Sequence, residues 1–140
     1  MTVGFNVFEL ITPKSSVAFI LDNITVRQAL EKITYHKYAV VPILNTNGEY
    51  VGTLSEGDVL RYIASHDEMD KESCESILIK DIERYRSYEA IRIDASFDEV
   101  YEASLSQNFL PIVDDRNIFI GLIRRKEVMV YIKNMVEHKR

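Results

Sequence analysis

A single cysteine stands in the 140 residues, Cys74, which excludes an internal disulfide and every multi-cysteine metal motif. No apolar run approaches the roughly 20 residues that a membrane-spanning helix needs. Met1 to Leu10 carries no basic stretch ahead of its apolar residues and so does not read as a signal peptide, which makes the expected location cytoplasmic. Acidic residues number 22 against 17 Lys and Arg, a net charge of -5. A chain that held nucleic acid through its phosphates would show the opposite balance, because counterion release supplies much of that affinity. There is no Gly-rich phosphate loop, and no helix-turn-helix segment lies outside the repeats described below. His36 and His66 stand without ligand spacing, and His138 belongs to a basic tail. A Cys–His nucleophile pair would have to use Cys74, which sits in the charged stretch Asp67–Ser76 and reads as a surface thiol. No metal, no catalytic centre and no nucleic-acid or membrane partner is therefore expected.

What is present is a folded composition, 46% hydrophobic and 28% charged, and an internal repeat. Pro42-Ile-Leu-Asn-Thr-Asn-Gly-Glu-Tyr-Val-Gly52 returns as Pro111-Ile-Val-Asp-Asp-Arg-Asn-Ile-Phe-Ile-Gly121, with Pro and Gly at one separation. Val59, Tyr62 and Ile63 pair onward with Val128, Tyr131 and Ile132. Upstream, Asn23–Thr25 pairs with Asp94–Ser96, and Phe8–Ile11 with Ile79–Ile82.

Each copy predicts the same elements. Val17–Leu21 is a short β-forming run. Thr25 is an N-cap, followed by Val26, Ala29, Leu30 and Ile33 at helical spacing. Tyr38–Leu44 reads as a strand buried on both faces, Asn47-Gly48 as a hairpin signal, and Glu49–Leu54 as the return strand. An amphipathic helix with Val59, Leu60, Tyr62 and Ile63 closes the copy. The second copy predicts a strand at Ala90–Ile93 and a helix at Ser96–Gln107 with Phe97, Val100, Tyr101 and Leu105 inward. Strands at Phe109–Val113 and Ile118–Ile123 and a helix at Lys126–Val136 follow. The expected class is α+β, an α/β arrangement of two β-α-β-β-α copies. Their boundaries are 8–65 and 78–137, with a charged linker at 66–77. About 50 residues bury too little surface alone, so the two copies are expected to fold together.

Two such copies, each with Pro-Ile on its middle strand and Gly on the return strand, resemble cystathionine-β-synthase (CBS) domains paired as a Bateman module. The lead-in Leu10-Ile-Thr-Pro-Lys14 is similar to the family's, and Gly52-Thr-Leu-Ser55-Glu-Gly-Asp58 resembles its ribose-binding signature. The whole chain resembles the small stand-alone CBS proteins of Firmicute bacteria, some of which bind cyclic di-AMP. The resemblance implies pseudo-two-fold packing of the copies and a regulatory adenine nucleotide, AMP, ATP or cyclic di-AMP, in clefts shared by both. One cleft would use Ala18, Tyr38, Ala39, Val40 and Pro42 with Arg124, Arg125 and Glu127. The other would use Ile91, Asn108, Phe109, Leu110 and Pro111 with Ser55 and Asp58.

Ser55-x-x-Asp58 ahead of an apolar helical run is also a capping box, and the serine can serve both roles. If Asp58 instead holds ribose, Asp58→Ala should weaken binding with little loss of stability. In the second copy Arg124 and Glu127 replace the Ser and Asp of the signature. Arg124-Arg125-Lys126 then faces the positive end of a helix dipole, which favours a phosphate site, with a solvated basic turn as the alternative. Tyr38 and Phe109 hold corresponding positions, as purine-stacking or core residues. Val128, Met129, Ile132 and Val136 leave an apolar helix face, from which a homodimer is expected. The expected function is a sensor signalling in trans to an unidentified protein partner. The alternative is a structural dimerisation module with degenerate, empty clefts.

Overall fold

Thr25, Ser55 and Ser96 each open a helix with a reciprocal cap. At α1 (Val26–His36), Thr25 Oγ1 accepts from the Gln28 N–H while Gln28 Oε1 accepts from the Thr25 N–H. At α2 (Glu56–Ala64) and α3 (Phe97–Ser106), Ser55 pairs in this way with Asp58, and Ser96 with Glu99. Each cap satisfies backbone donors that the helix itself leaves orphaned. The last helix, α4 (Arg125–His138), begins differently, with Arg125 N–H donating to the Asn108 carbonyl at 2.9 Å.

These observations come from a computed structural model that describes residues 4–36, 40–65, 75–84 and 88–138. Among them lie β1 (Thr12–Pro13), β2 (Ile20–Leu21), β3 (Val40–Leu44), β4 (Tyr50–Ser55), β5 (Ile91–Arg92), β6 (Phe109–Val113) and β7 (Phe119–Arg124). The fold is mixed α+β, with one sheet ordered β2-β3-β4 and another ordered β1-β7-β6-β5. By packing, the chain divides into Ala18–Ser87 and a second unit made of Met1–Val17 with Tyr88–Arg140. In each, a parallel strand pair and an antiparallel hairpin carry helices on an apolar face.

The repeat boundaries and the packing units differ, because each copy's lead-in joins the other copy. β1, ahead of the first copy, pairs antiparallel with β7, Thr12 against Leu122 and Pro13 against Gly121. Val7 is fully buried in the same core as Val100, Leu110, Ile112 and Ile123. Correspondingly, Ile79 and Ile82 bury among Ile20, Val26, Ile43 and Leu54, and the Ile79 N–H donates to the Ile24 carbonyl. Both lead-ins follow the sequence repeat, and each supplies apolar side chains that its host sheet needs.

The inward face of α3 departs from the expectation. Tyr101 and Leu105 are 40% and 62% exposed, while Ser104 is buried with Phe97 and Val100. Positions 97, 100 and 104 follow the 3.6-residue period, and Ser104 fits there because its hydroxyl donates to the Tyr101 carbonyl at 2.7 Å. Val128 likewise enters the core instead of the exposed face.

Both hairpins form, but the turn is anchored earlier than Asn47-Gly48. Gly48 N–H donates to the Asn45 carbonyl, and Gly48 then takes φ 85°. Asn45 Oδ1 accepts from the N–H groups of Asn47 and Glu49. The second hairpin repeats this with Asp114, whose Oδ1 accepts from Arg116 and Ile118, and with Asn117 at φ 66°. This is the three-residue hairpin loop whose last residue is left-handed. The donors of Ile118 and Arg116 hold the Asp114 carboxyl below its ordinary pKa. Its stabilisation is therefore complete above the ordinary carboxylate range and is lost as pH falls through the depressed value. Asn45 does the same work without a charge. In an NMR titration the Arg116 and Ile118 amides should shift below the ordinary aspartate midpoint, while the Asn47 amide stays still. A midpoint at or above the ordinary value would refute the reading.

Candidate functional site

The first-copy signature starts at Gly52 on β4 and ends in the first turn of α2. Asp58 is only 3% exposed. Its Oδ2 accepts from the Ser55 N–H at 2.9 Å, its Oδ1 from Arg61 Nη2 at 3.0 Å, and Ser55 Oγ accepts from the Asp58 N–H at 3.1 Å. The capping role is thus filled, and Arg61 adds a half-exposed ion pair. The capping box therefore gives Asp58 a structural role whether or not it also meets a ligand. Asp58→Ala takes the partner from the half-buried Ser55 N–H, and urea denaturation should register a loss of about 1–3 kcal/mol. A loss below about 0.5 kcal/mol would show the cap to be dispensable.

Around the second-copy turn, Arg124 ends β7 and Arg125 begins α4, both exposed. Arg124 Nη1 donates to Thr12 Oγ1 at 2.8 Å, so β1 fixes the first guanidinium. Arg125 Nε donates to the Ser104 carbonyl at 2.8 Å, tying α4 to the end of α3. Lys126 is exposed, and Glu127 lies half-buried in the first turn, where its charge suits the helix dipole. Neither Thr12 nor Ser104 was a candidate from sequence, because their roles arise from packing 112 and 21 residues away.

The strand residues fall into two groups. Ala18, Val40 and Ile91 are half-buried, and Pro42 and Pro111 are buried. β2 pairs only with Ile43 and Leu44, and β5 only with Ile112 and Val113. No described strand therefore covers the first half of β3 or β6 on that side. Leu44 and Val113 turn their carbonyls toward that side, to Asp22 and Ile93, and residues two apart along a strand face alike. The nitrogens of Pro42 and Pro111 thus lie where no ladder hydrogen bond is lost. Leu110 is fully buried in the core, so its side chain is not available to a ligand. Phe109 is 6% exposed, stacked beneath Tyr88 at 4.9 Å between ring centroids, and Asn108 is exposed. Tyr38 and Ala39 lie outside the described residues, as do His66 and Cys74.

Among the described residues no cluster of three or more His, Cys, Asp or Glu is placed to hold a metal ion. No helix among them is long and apolar enough to cross a membrane. The chain combines this geometry with a match to known proteins. A family model for the CBS domain matches residues 7–65. Over 94% of its length the chain is similar to a CBS domain protein from Streptococcus pneumoniae, with TM-score 0.82, 25% identity and 88% of that chain covered. The chain has the fold of a CBS-domain protein. The model match falls on the first copy, while the likeness of fold takes in both.

Two further CBS-fold structures carry ligands. One is the Listeria monocytogenes CbpB protein in complex with c-di-AMP, with TM-score 0.80, 18% identity, and 94% and 97% of the two chains covered. The other is CBSX2 in complex with AMP, with TM-score 0.71, 21% identity, and 98% and 100% covered. A curated homoserine O-acetyltransferase from Methanocorpusculum labreanum is 26% identical over 99 residues, 71% of this chain. The chain spans 19% of that enzyme's length.

Proposed function

We propose that this CBS-fold protein is a non-catalytic regulatory module that binds an adenine nucleotide, AMP, ATP or cyclic di-AMP. The observation that carries this is the likeness, across nearly the whole of both chains, to CBS proteins holding c-di-AMP and AMP. The chemistry of the residues supports it. The exposed guanidinium of Arg124 and that of Arg125 stand at the start of α4, where backbone donors and the helix dipole favour an anion. The uncovered strand halves at Val40–Pro42 and Phe109–Pro111 offer apolar and backbone surface to a base. Ser55, Asp58 and Glu127 are the ribose-side candidates, Ala18 and Ile91 the base-side ones.

In this reading the nucleotide is the regulatory ligand, no further cofactor is needed, and the protein works in the cytoplasm as a homodimer with a protein partner. Exposed Met129, Val130 and Val136 on α4, with Leu105 on α3, support self-association. Sedimentation should give a dimer at tens of micromolar, and a monomer with and without nucleotide would overturn that part.

Thermal melting with adenosine, AMP, ATP and cyclic di-AMP tests the function. A phosphorylated ligand at 100 times its Kd should add about 2.7 kcal/mol, a rise of roughly 10 °C for a chain of this size. No shift with any nucleotide would leave a dimerisation module with empty clefts.

A further inference from the structure

Tyr88 lies against two of the residues assigned to the nucleotide, and it is held there by more than chance contact. Its ring stacks on Phe109 at 4.9 Å and 27° between planes. Its hydroxyl donates to Asn108 Oδ1 at 3.0 Å. The next residue is clamped: Gln107, 6% exposed, accepts from the Glu89 N–H at 2.8 Å through Oε1 and donates to the Glu89 carbonyl at 3.1 Å through Nε2. The same Nε2 reaches the Phe109 carbonyl at 3.3 Å. A buried amide thus pins the Tyr88–Glu89 backbone to the start of β6. With the ring in place, Phe109 is 6% exposed.

We infer that Tyr88 is a built-in competitor for the base-stacking position on Phe109, so that a planar base must turn this side chain aside to bind. This rests on the nucleotide-binding reading. Because Gln107 fixes the backbone at Glu89, the movement is rotation of the Tyr88 side chain alone. The contacts it gives up, an aromatic stack and a hydrogen bond among them, set the fraction of molecules open to ligand. Observed affinity falls in proportion to that fraction. Tyr88→Ala removes the competitor, and Tyr88→Phe keeps the ring while releasing Asn108.

Calorimetric titration of the full chain and both variants with AMP and with cyclic di-AMP is the test. For at least one ligand, Tyr88→Ala should bind about three- to tenfold more tightly than wild type, with Tyr88→Phe between them. Nuclear magnetic resonance of wild type should show the Tyr88 ring signals moving as ligand is added. Weaker or unchanged binding by Tyr88→Ala, alongside binding by wild type, overturns the competitor and leaves nucleotide binding standing. Absence of binding in all three proteins, with their melting curves showing them folded, overturns both.

Discussion

Gly121→Ala is expected to destabilise the protein by about 2–4 kcal/mol, and Gly52→Ala by only about 1 kcal/mol. The two glycines are the same position of the repeat, on β7 and β4, and have nearly the same φ, 157° and 158°. The strain of an added side chain is therefore common to both, and the neighbours decide the difference. At Gly121 a methyl group would run into the backbone carbonyl of Thr12 and the Ile11 side chain, whose carbons would lie 2.9 Å away. β1 holds that carbonyl in a ladder with β7, so relief requires the lead-in to move. At Gly52 the obstacle is the guanidinium end of Arg84, 2.7–2.9 Å away, on an exposed side chain that can swing aside. Its hydrogen bond to the Val51 carbonyl, at 3.3 Å, is a weak one to lose. Thermal melting should place Gly121→Ala roughly 7–14 °C below wild type and well below Gly52→Ala. Equal losses would mean that the lead-in does not pack tightly on β7.

These glycines also mark how far the repeat makes the fold legible. The Pro–Gly spacing, the apolar runs and the Ser and Thr caps locate the strands and helices, because each signal acts over a few residues. β6 covers the same residues, Phe109–Val113, as its apolar run. The strands before the first helix of each copy came out shorter than their sequence runs, two residues at β2 and β5. Pairing fixes their length, and only Ile43–Leu44 and Ile112–Val113 are opposite them. The exchange of lead-ins was not legible at all. Phe8–Ile11 and Ile79–Ile82 show that they are equivalent, but nothing local says which sheet each will join.

The site divides in the same way. Ser55 and Asp58 carry a local pattern, and the local role it implies, the capping box, is present. Phe109 was legible as the start of a strand and Asn108 through the family resemblance, whereas Tyr88 and Gln107 were not, since their partners are set by tertiary packing 18 to 21 residues away. The basic turn shows both limits. Its charges are plain in the sequence, while the hydrogen bonds that orient them come from Thr12 and Ser104.

Removal of those charges gives the largest expected change in ligand affinity. A guanidinium has five N–H donors, and each arginine spends one on the contact described here, leaving donors for phosphate oxygens. A charge-assisted hydrogen bond of this kind contributes about 1.5–3 kcal/mol, so Arg124→Ala should weaken AMP, ATP or cyclic di-AMP at least tenfold. Adenosine, which lacks the phosphate, should bind wild type weakly and the variant equally so. The two arginines separate in stability. Arg124 is exposed and bonded to a single threonine hydroxyl, so its loss should leave melting nearly unchanged. Arg125 satisfies a carbonyl near the end of α3, so Arg125→Ala should also cost about 1 kcal/mol of stability. Arg124→Lys keeps the charge without the planar fork and should recover only part of the affinity. Raising the salt concentration should narrow the gap between wild type and Arg124→Ala, because exposed charges are screened over about 8–10 Å. Calorimetry at two salt concentrations reads all of this. Identical affinities for wild type and Arg124→Ala, with nucleotide bound in both, would move the phosphate away from the start of α4.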